Sequence, residues 1–141
     1  MPYGTANVDV IQSSVSGTPP QFNDGNGTQV GTLCRAWVNY KGTATRGINA
    51  SFNVSSVTYN AAGDYTINFT NALADANYAA CVSSTNRGGG SLPTANYSAG
   101  YGSASSAATN GTYSTTALEI YVQGSTGTGV DIPTVSVSVF R

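Results

Sequence analysis

Hydrophobic and polar residues alternate with period two along several stretches of this chain, the signature of strands with one buried and one wet face. From Ile48 to Val54 the even positions read Ile48, Ala50, Phe52, Val54, and the odd ones Asn49, Ser51, Asn53. The phase slips at Ser55-Ser56, after which Val57 and Tyr59 take the apolar side, as a bulge or sheet corner would cause. Asn60-Ala61-Ala62-Gly63-Asp64 supplies turn residues, and the return strand points Tyr65, Ile67 and Phe69 inward against Thr66, Asn68 and Thr70. This pattern predicts a hairpin. A second one is predicted at the end of the chain, where Leu118, Ile120 and Val122 alternate with Glu119 and Tyr121. There Gly124 to Gly129 turns, and Val135, Val137 and Val139 alternate with Ser136 and Ser138. Leu33 to Tyr40 reads as a further strand, with Cys34, Ala36, Val38 and Tyr40 on one face and Trp37 on the other. Apolar groups on both faces predict a central or interfacial position. A shorter strand is predicted from Tyr78 to Val82.

Two regions break the pattern. Residues 1–32 carry one short β-like run, Val8-Asp9-Val10-Ile11, followed by Thr18-Pro19-Pro20 and the turn-rich Asn23-Asp24-Gly25-Asn26-Gly27. They read as an extended N-terminal arm. Residues 83–116, with Arg87-Gly88-Gly89-Gly90 and Tyr97-Ser98-Ala99-Gly100-Tyr101-Gly102, read as one long Gly/Ser/Tyr-rich loop. The expected organisation is therefore an arm over 1–32 and an all-β domain over 33–141. The fold class is a small antiparallel β-sandwich or barrel-like module.

Composition sharpens this picture. Val, Ile, Leu and Phe total 26 of 141 residues, near the ~20% level below which a core is hard to build. Ser, Thr, Asn and Gly make up nearly half the chain. A thin core implies that neighbouring subunits supply part of the buried surface. The net charge is -1 with five scattered Lys/Arg, which argues against nucleic acid or an anionic membrane surface as partner. No stretch approaches the roughly 18 apolar residues of a membrane span. Met1-Pro2-Tyr3-Gly4 has neither the basic nor the apolar region of a signal peptide, so the expectation is a chain that folds where it is made.

Catalytic chemistry is poorly supplied. There is no histidine, which excludes His-based triads and His-ligated metal sites. The acids Asp9, Asp24, Asp64, Asp75, Glu119 and Asp131 form no recognisable constellation. A glycosidase pair drawn from Asp64 and Asp75 would use an Asp64 that reads as a turn residue. Asn23–Gly27 superficially resembles a calcium loop but offers one carboxylate, so the turn reading prevails and no metal or cofactor is expected. Cys34 and Cys81 read as reduced, buried thiols, with a bridge left open should their strands be adjacent. Sequons at Asn26, Asn49, Asn53, Asn68, Asn96 and Asn110 are expected by chance in so Asn-, Ser- and Thr-rich a chain. The long loop is the one recognition element in view, with Arg87, Tyr97, Tyr101 and Tyr113 as candidate contacts. Tyrosine gives contact area at low entropic cost and would suit a sugar ring. A subunit-contacting loop explains the same residues.

Gly31-Thr32-Leu33-Cys34-Arg35-Ala36-Trp37-Val38-Asn39-Tyr40, Ala50-Ser51-Phe52-Asn53-Val54-Ser55-Ser56-Val57 and Gly63-Asp64-Tyr65-Thr66-Ile67-Asn68-Phe69-Thr70 follow in that order. With Leu73-Ala74-Asp75-Ala76-Asn77-Tyr78, the Thr18–Phe22 lead-in and the Val135–Arg141 ending, they resemble a module of tailed phages of aquatic bacteria, including cyanophages. That module forms the C-terminal part of tail-fibre proteins and also short free-standing virion proteins. The resemblance implies a non-catalytic virion structural protein of tail-fibre or adhesin type, made in the bacterial host cytoplasm. It would be a homo-oligomer, with a trimer favoured, contacting other virion proteins and a host surface glycan or protein. A capsid decoration protein is the alternative. Val8, Val10, Ile11, Pro19, Pro20 and Phe22 are then the candidate virion-docking arm.

Overall fold

The computed structural model of the chain describes residues 8, 10–12, 14, 20–85, 98–101 (backbone alone), 113–124 and 128–141. Two compact units divide between Leu33 and Cys34. In the first, β1 (Phe22–Asn23) pairs antiparallel with β2 (Gln29–Gly31). Asp24 closes the intervening turn by accepting the Asn26 and Thr28 backbone N–H groups, each at 2.9 Å, on one carboxylate oxygen. The Asn23–Gly27 run is thus a hairpin turn, and Gly27 takes the left-handed conformation it needs.

The second unit is an all-β sandwich, with eight strands among the described residues. They are β3 (Cys34–Lys41), β4 (Gly47–Phe52), β5 (Val54–Ala61), β6 (Asp64–Phe69), β7 (Ala79–Thr85), β8 (Ser98–Tyr101), β9 (Ala117–Gln123) and β10 (Thr134–Phe140). Sheet I has the order β4-β3-β10-β7 and sheet II the order β5-β6-β9-β8, all antiparallel. The four strands with strict alternation, β3, β6, β9 and β10, bury Ala36, Val38 and Tyr40, then Tyr65, Ile67 and Phe69, then Leu118, Ile120 and Val122, then Val135, Val137 and Val139. Each fully buried Val, Leu or Ile stabilises by roughly 1.5–3 kcal/mol relative to exposure. Leu73, Tyr78 and Ile132 close the ends of this one contiguous core.

The β5–β6 hairpin forms around a two-residue turn, Ala62-Gly63, with Tyr65, Ile67 and Phe69 buried. Asp64, expected in the turn, is instead the first residue of β6 and only 3% exposed. The strand at Leu33–Tyr40 is β3, central in sheet I. The expected terminal hairpin is corrected. The alternations of β9 and β10 are present, but β9 pairs with β6 and β8 whereas β10 pairs with β3 and β7. The chain does turn back after β9, bridging Gln123 to Gly129, and then leaves for the other sheet. Both rows face the shared core from opposite sheets, and a strand's alternation is the same whichever sheet it joins.

A second correction concerns Ile48–Val54. β4 is an edge strand whose register sets Phe52 opposite Trp37 and Ala50 opposite Asn39, so Ala50 and Phe52 face away from the core, whereas a register shift sets Ile48 opposite the buried Tyr40. The reversal to the buried side happens at Asn53, which has φ +54°, and a bulge follows between Val54 and Ser56. The segment 83–116, read as a single loop, contains the end of β7 and all of β8. Neither cysteine is buried as expected: both are free, Cys34 half-buried and Cys81 exposed on β7.

Candidate functional site

Two groupings of side chains stand out from the core. The first is on the outer face of sheet I. Paired residues of antiparallel strands share a face, so the register builds two rows across the sheet. Phe52, Trp37, Ser138 and Cys81 form one, and Ala50, Asn39, Ser136 and Ser83 the other. Trp37 is 39% exposed and Phe52 55%, paired across β3 and β4. Beside them runs an amide chain. The Asn49 side-chain amide donates to Asn39 Oδ1 at 2.7 Å, and the Asn39 amide donates to Ser136 Oγ at 3.1 Å. These bonds fix the orientation of both amides and leave Asn49 Oδ1, the Ser136 hydroxyl proton and the second amide protons available for a ligand. The face thus offers flat aromatic area beside oriented hydrogen-bonding groups, the two components that give a ligand affinity and orientation.

The second grouping lies at one end of the sandwich. Asp131, in the segment leading to β10, accepts from the Gly63 backbone N–H at 2.9 Å and the Tyr65 hydroxyl at 2.7 Å on Oδ1. Its Oδ2 accepts from the Arg46 guanidinium at 2.6 Å and the Tyr59 hydroxyl at 3.3 Å. Arg46 also lies over the Tyr59 ring, 3.7 Å from its centroid, a cation–π contact. The Tyr65 ring meets Tyr40 edge-on at 5.4 Å and Tyr59 at 5.9 Å. Burial, then the bond to Asp131, pushes the Tyr65 hydroxyl far above the ordinary tyrosine value, and burial also raises Tyr40. For Asp131 burial acts upward, but the Gly63 N–H, the Tyr65 hydroxyl and Arg46 outweigh it and hold the carboxyl below its usual range. With both oxygens doubly engaged, Asp131 has no free lone pair aimed at a substrate. The cluster clamps the β3–β4 loop, the β5–β6 hairpin and the lead-in to β10 together.

Other described acids are similarly occupied. Asp75 takes a two-pronged salt bridge from Arg141, through Nε at 2.9 Å and through Nη2. Asp64 Oδ1 accepts from Asn60 at 3.0 Å. No cluster of three or more metal-ligating side chains occurs among the described residues.

Of the loop residues proposed as contacts, Arg87 and Tyr97 lie outside the described residues. Tyr101 is the last residue of β8, pairing with Ile120. Tyr113 stacks on Tyr78 at 4.2 Å, half-buried against the core, with its hydroxyl donating to the Tyr78 carbonyl. In the arm, Val8, Val10 and Ile11 are 60%, 75% and 65% exposed. Phe22, on β1, is exposed, Pro20 is half-buried, and Pro19 lies outside the described residues.

Sequence reasoning missed Phe52 as a surface residue and Asp131 as a hub. Strict alternation through Phe52 pointed the other way, and no spacing links Asp131 to Tyr65 or Arg46. Asn53 carried one legible signal. Asn is among the few L-residues that tolerate φ > 0, and it stands where two apolar runs change phase. No family model, curated protein or solved structure matches the chain.

Proposed function

We propose that the chain is a non-catalytic virion structural protein of tail-fibre or adhesin type, assembling through contacts that cover its exposed apolar surface. The observation that carries this reading is where that surface lies. Val8, Val10, Ile11, Phe22, Val30 and Leu33 are all exposed in the first unit, and Trp37 and Phe52 in the second. Scattered single hydrophobes on a surface need no explanation, but a β-like run exposed at three of its apolar positions does. A thin core no longer supports assembly, because the sandwich has a contiguous core of its own. The argument for neighbours rests instead on the arm. The motif order through β3, β5 and β6 supports the phage setting.

In this reading the sandwich is the folded body, the arm grips a neighbouring copy or another virion protein, and an open face of the sandwich turns outward. The oligomer is a homotrimer. Native mass spectrometry of the purified chain tests it directly: a trimer is expected, and its loss on deleting residues 1–21 places the contact in the arm. A chain that stays monomeric at all concentrations overturns the assembly. Quantitative proteomics of purified particles tests the setting. A copy number far below that of the shell subunits fits a fibre, whereas one matching the shell lattice replaces it with capsid decoration.

A further inference from the structure

Five cations are available to this chain, and the structure divides them. Arg46 is committed to Asp131 and Arg141 to Asp75. Arg87 lies outside the described residues. Arg35 and Lys41, both half-buried, make no ion pair among the described residues, and both belong to β3. Since Ala36, Val38 and Tyr40 point into the core, Trp37, Asn39 and Lys41 lie on the outer face, and Arg35 sits next to them in the bulge where the ladder steps from Ala36–Val139 to Cys34–Phe140. Among the described residues the face carries no acid: its other outward positions include Ala50, Phe52, Thr134, Ser136, Ser138, Phe140, Ala79, Cys81, Ser83 and Thr85. In a chain of net charge -1, the two described cations without a carboxylate partner thus bracket the one exposed aromatic pair.

We propose that the outer face of sheet I binds an acidic saccharide, a polymer of carboxylate-bearing sugars, laid along β3. Trp37, extended by Phe52, stacks on the apolar face of a sugar ring. The Asn49–Asn39–Ser136 chain hydrogen-bonds ring hydroxyls from a fixed orientation. Arg35 and Lys41 meet carboxylates at either end, Arg by a two-pronged contact and Lys as a point charge. Six residue rises of extended strand separate the two cations by roughly 20 Å at about 3.3 Å per residue. That span suits several linked sugars, not a single one. Two cations so far apart are too sparse for a nucleic acid strand, which carries a charge at every residue and is gripped by a dense basic groove. This inference deepens the adhesin reading and rests on it for its biological setting only.

Trp37 is the only tryptophan in the chain, so its fluorescence reports on the site directly. The purified full chain is titrated with oligogalacturonate, with a neutral dextran oligosaccharide, and with oligo(U), and calorimetry supplies affinities for variants lacking the reporter. Saturable change with oligogalacturonate is expected, at least tenfold tighter than with dextran and weakened by added salt. Arg35→Gln and Lys41→Gln, both surface changes that leave the fold intact by circular dichroism, are each expected to weaken it about fivefold. Trp37→Ala is expected to weaken it more than tenfold, and Trp37→Tyr to retain most of it.

Several results would overturn the proposal. Dextran or oligo(U) binding as tightly as oligogalacturonate is one. Undiminished binding by Trp37→Ala is another, since it would leave ion exchange alone. A Trp37 signal that changes with protein concentration and not with sugar would make the face a contact between copies. None of these touches the virion assignment, which particle proteomics decides separately.

Discussion

Gly63 shows how a single position constrains the end of the sandwich. It takes φ +74° between β5 and β6, a conformation that L-residues with a Cβ rarely adopt. Space forbids a side chain as well. A Cβ there would come within 2.1 Å of the Val122 carbonyl oxygen and 2.6 Å of the Val130 nitrogen, both backbone atoms that cannot swing aside. Its own N–H donates to Asp131 and its carbonyl accepts the Val122 N–H at 2.7 Å, so the backbone is held from both sides. Gly63→Ala is therefore expected to cost well over the ~1 kcal/mol typical of Ala at positive φ, on the order of 3 kcal/mol or more, because the turn must also move. Urea denaturation checks this. A loss within about 0.5 kcal/mol would show that the turn relaxes freely and that the close packing is unimportant.

At the scale of elements, the strongly alternating strands were legible and, beyond the β5–β6 hairpin, their partners were not. Alternation identified β3, β6, β9 and β10 residue by residue, because a strand buried on one face must repeat every two positions. Pairing depends on which rows share a sheet, and local pattern is silent on that. β9 and β10 are adjacent in sequence yet sit in opposite sheets, and nothing in Leu118–Val122 or Val135–Val139 distinguishes the two arrangements. β4 misled for the opposite reason: its Ala50 and Phe52 alternate well but face outward, since the register to Trp37 is set by the corner at Asn53. The outer face of sheet I was accordingly half-visible, through Trp37 but not Phe52.

That corner is testable. The Asn53 amide donates to the Arg35 and Asn71 carbonyls, both at 3.1 Å, and its Oδ1 accepts the Asn71 N–H at 2.8 Å. Three bonds worth about 1 kcal/mol each, plus about 1 kcal/mol for a non-glycine residue at φ > 0, predict that Asn53→Ala destabilises by roughly 2–4 kcal/mol. Asn53→Gly loses the same bonds without the backbone strain and is expected to be milder by about 1 kcal/mol. Equal losses for the two variants would mean that strain at the corner is not part of the cost.

For the whole molecule, the Asp131 clamp ties stability to pH in both directions. On the acid side, Asp131 and Asp75 ionise more readily in the folded protein than their ordinary value of 3.8. The unfolded chain then takes up protons first as pH falls. The folded state keeps the full benefit above that value and loses it as pH drops through the folded pKa, below about 4. On the alkaline side, Tyr65 and Tyr40 are held protonated above the ordinary 10.0. Their contribution is complete below that pH and lost as the unfolded chain ionises above it. A plateau in Tm from about pH 5 to 9, falling at both ends, is the expected profile at fixed protein concentration. Asp131→Asn separates the causes. It is expected to cost about 2–3 kcal/mol of stability and so lower the Tm plateau, because Arg46 and Tyr65 lose a charged acceptor, and to make the acid decline shallower. The alkaline decline should persist, since burial is the larger influence on Tyr65 and the substitution leaves it buried. If the alkaline limb disappears with Asp131→Asn, the hydrogen bond and not burial holds Tyr65 neutral. If the acid limb stays as steep, the charge that matters at low pH lies elsewhere, with Asp75 and its Arg141 partner.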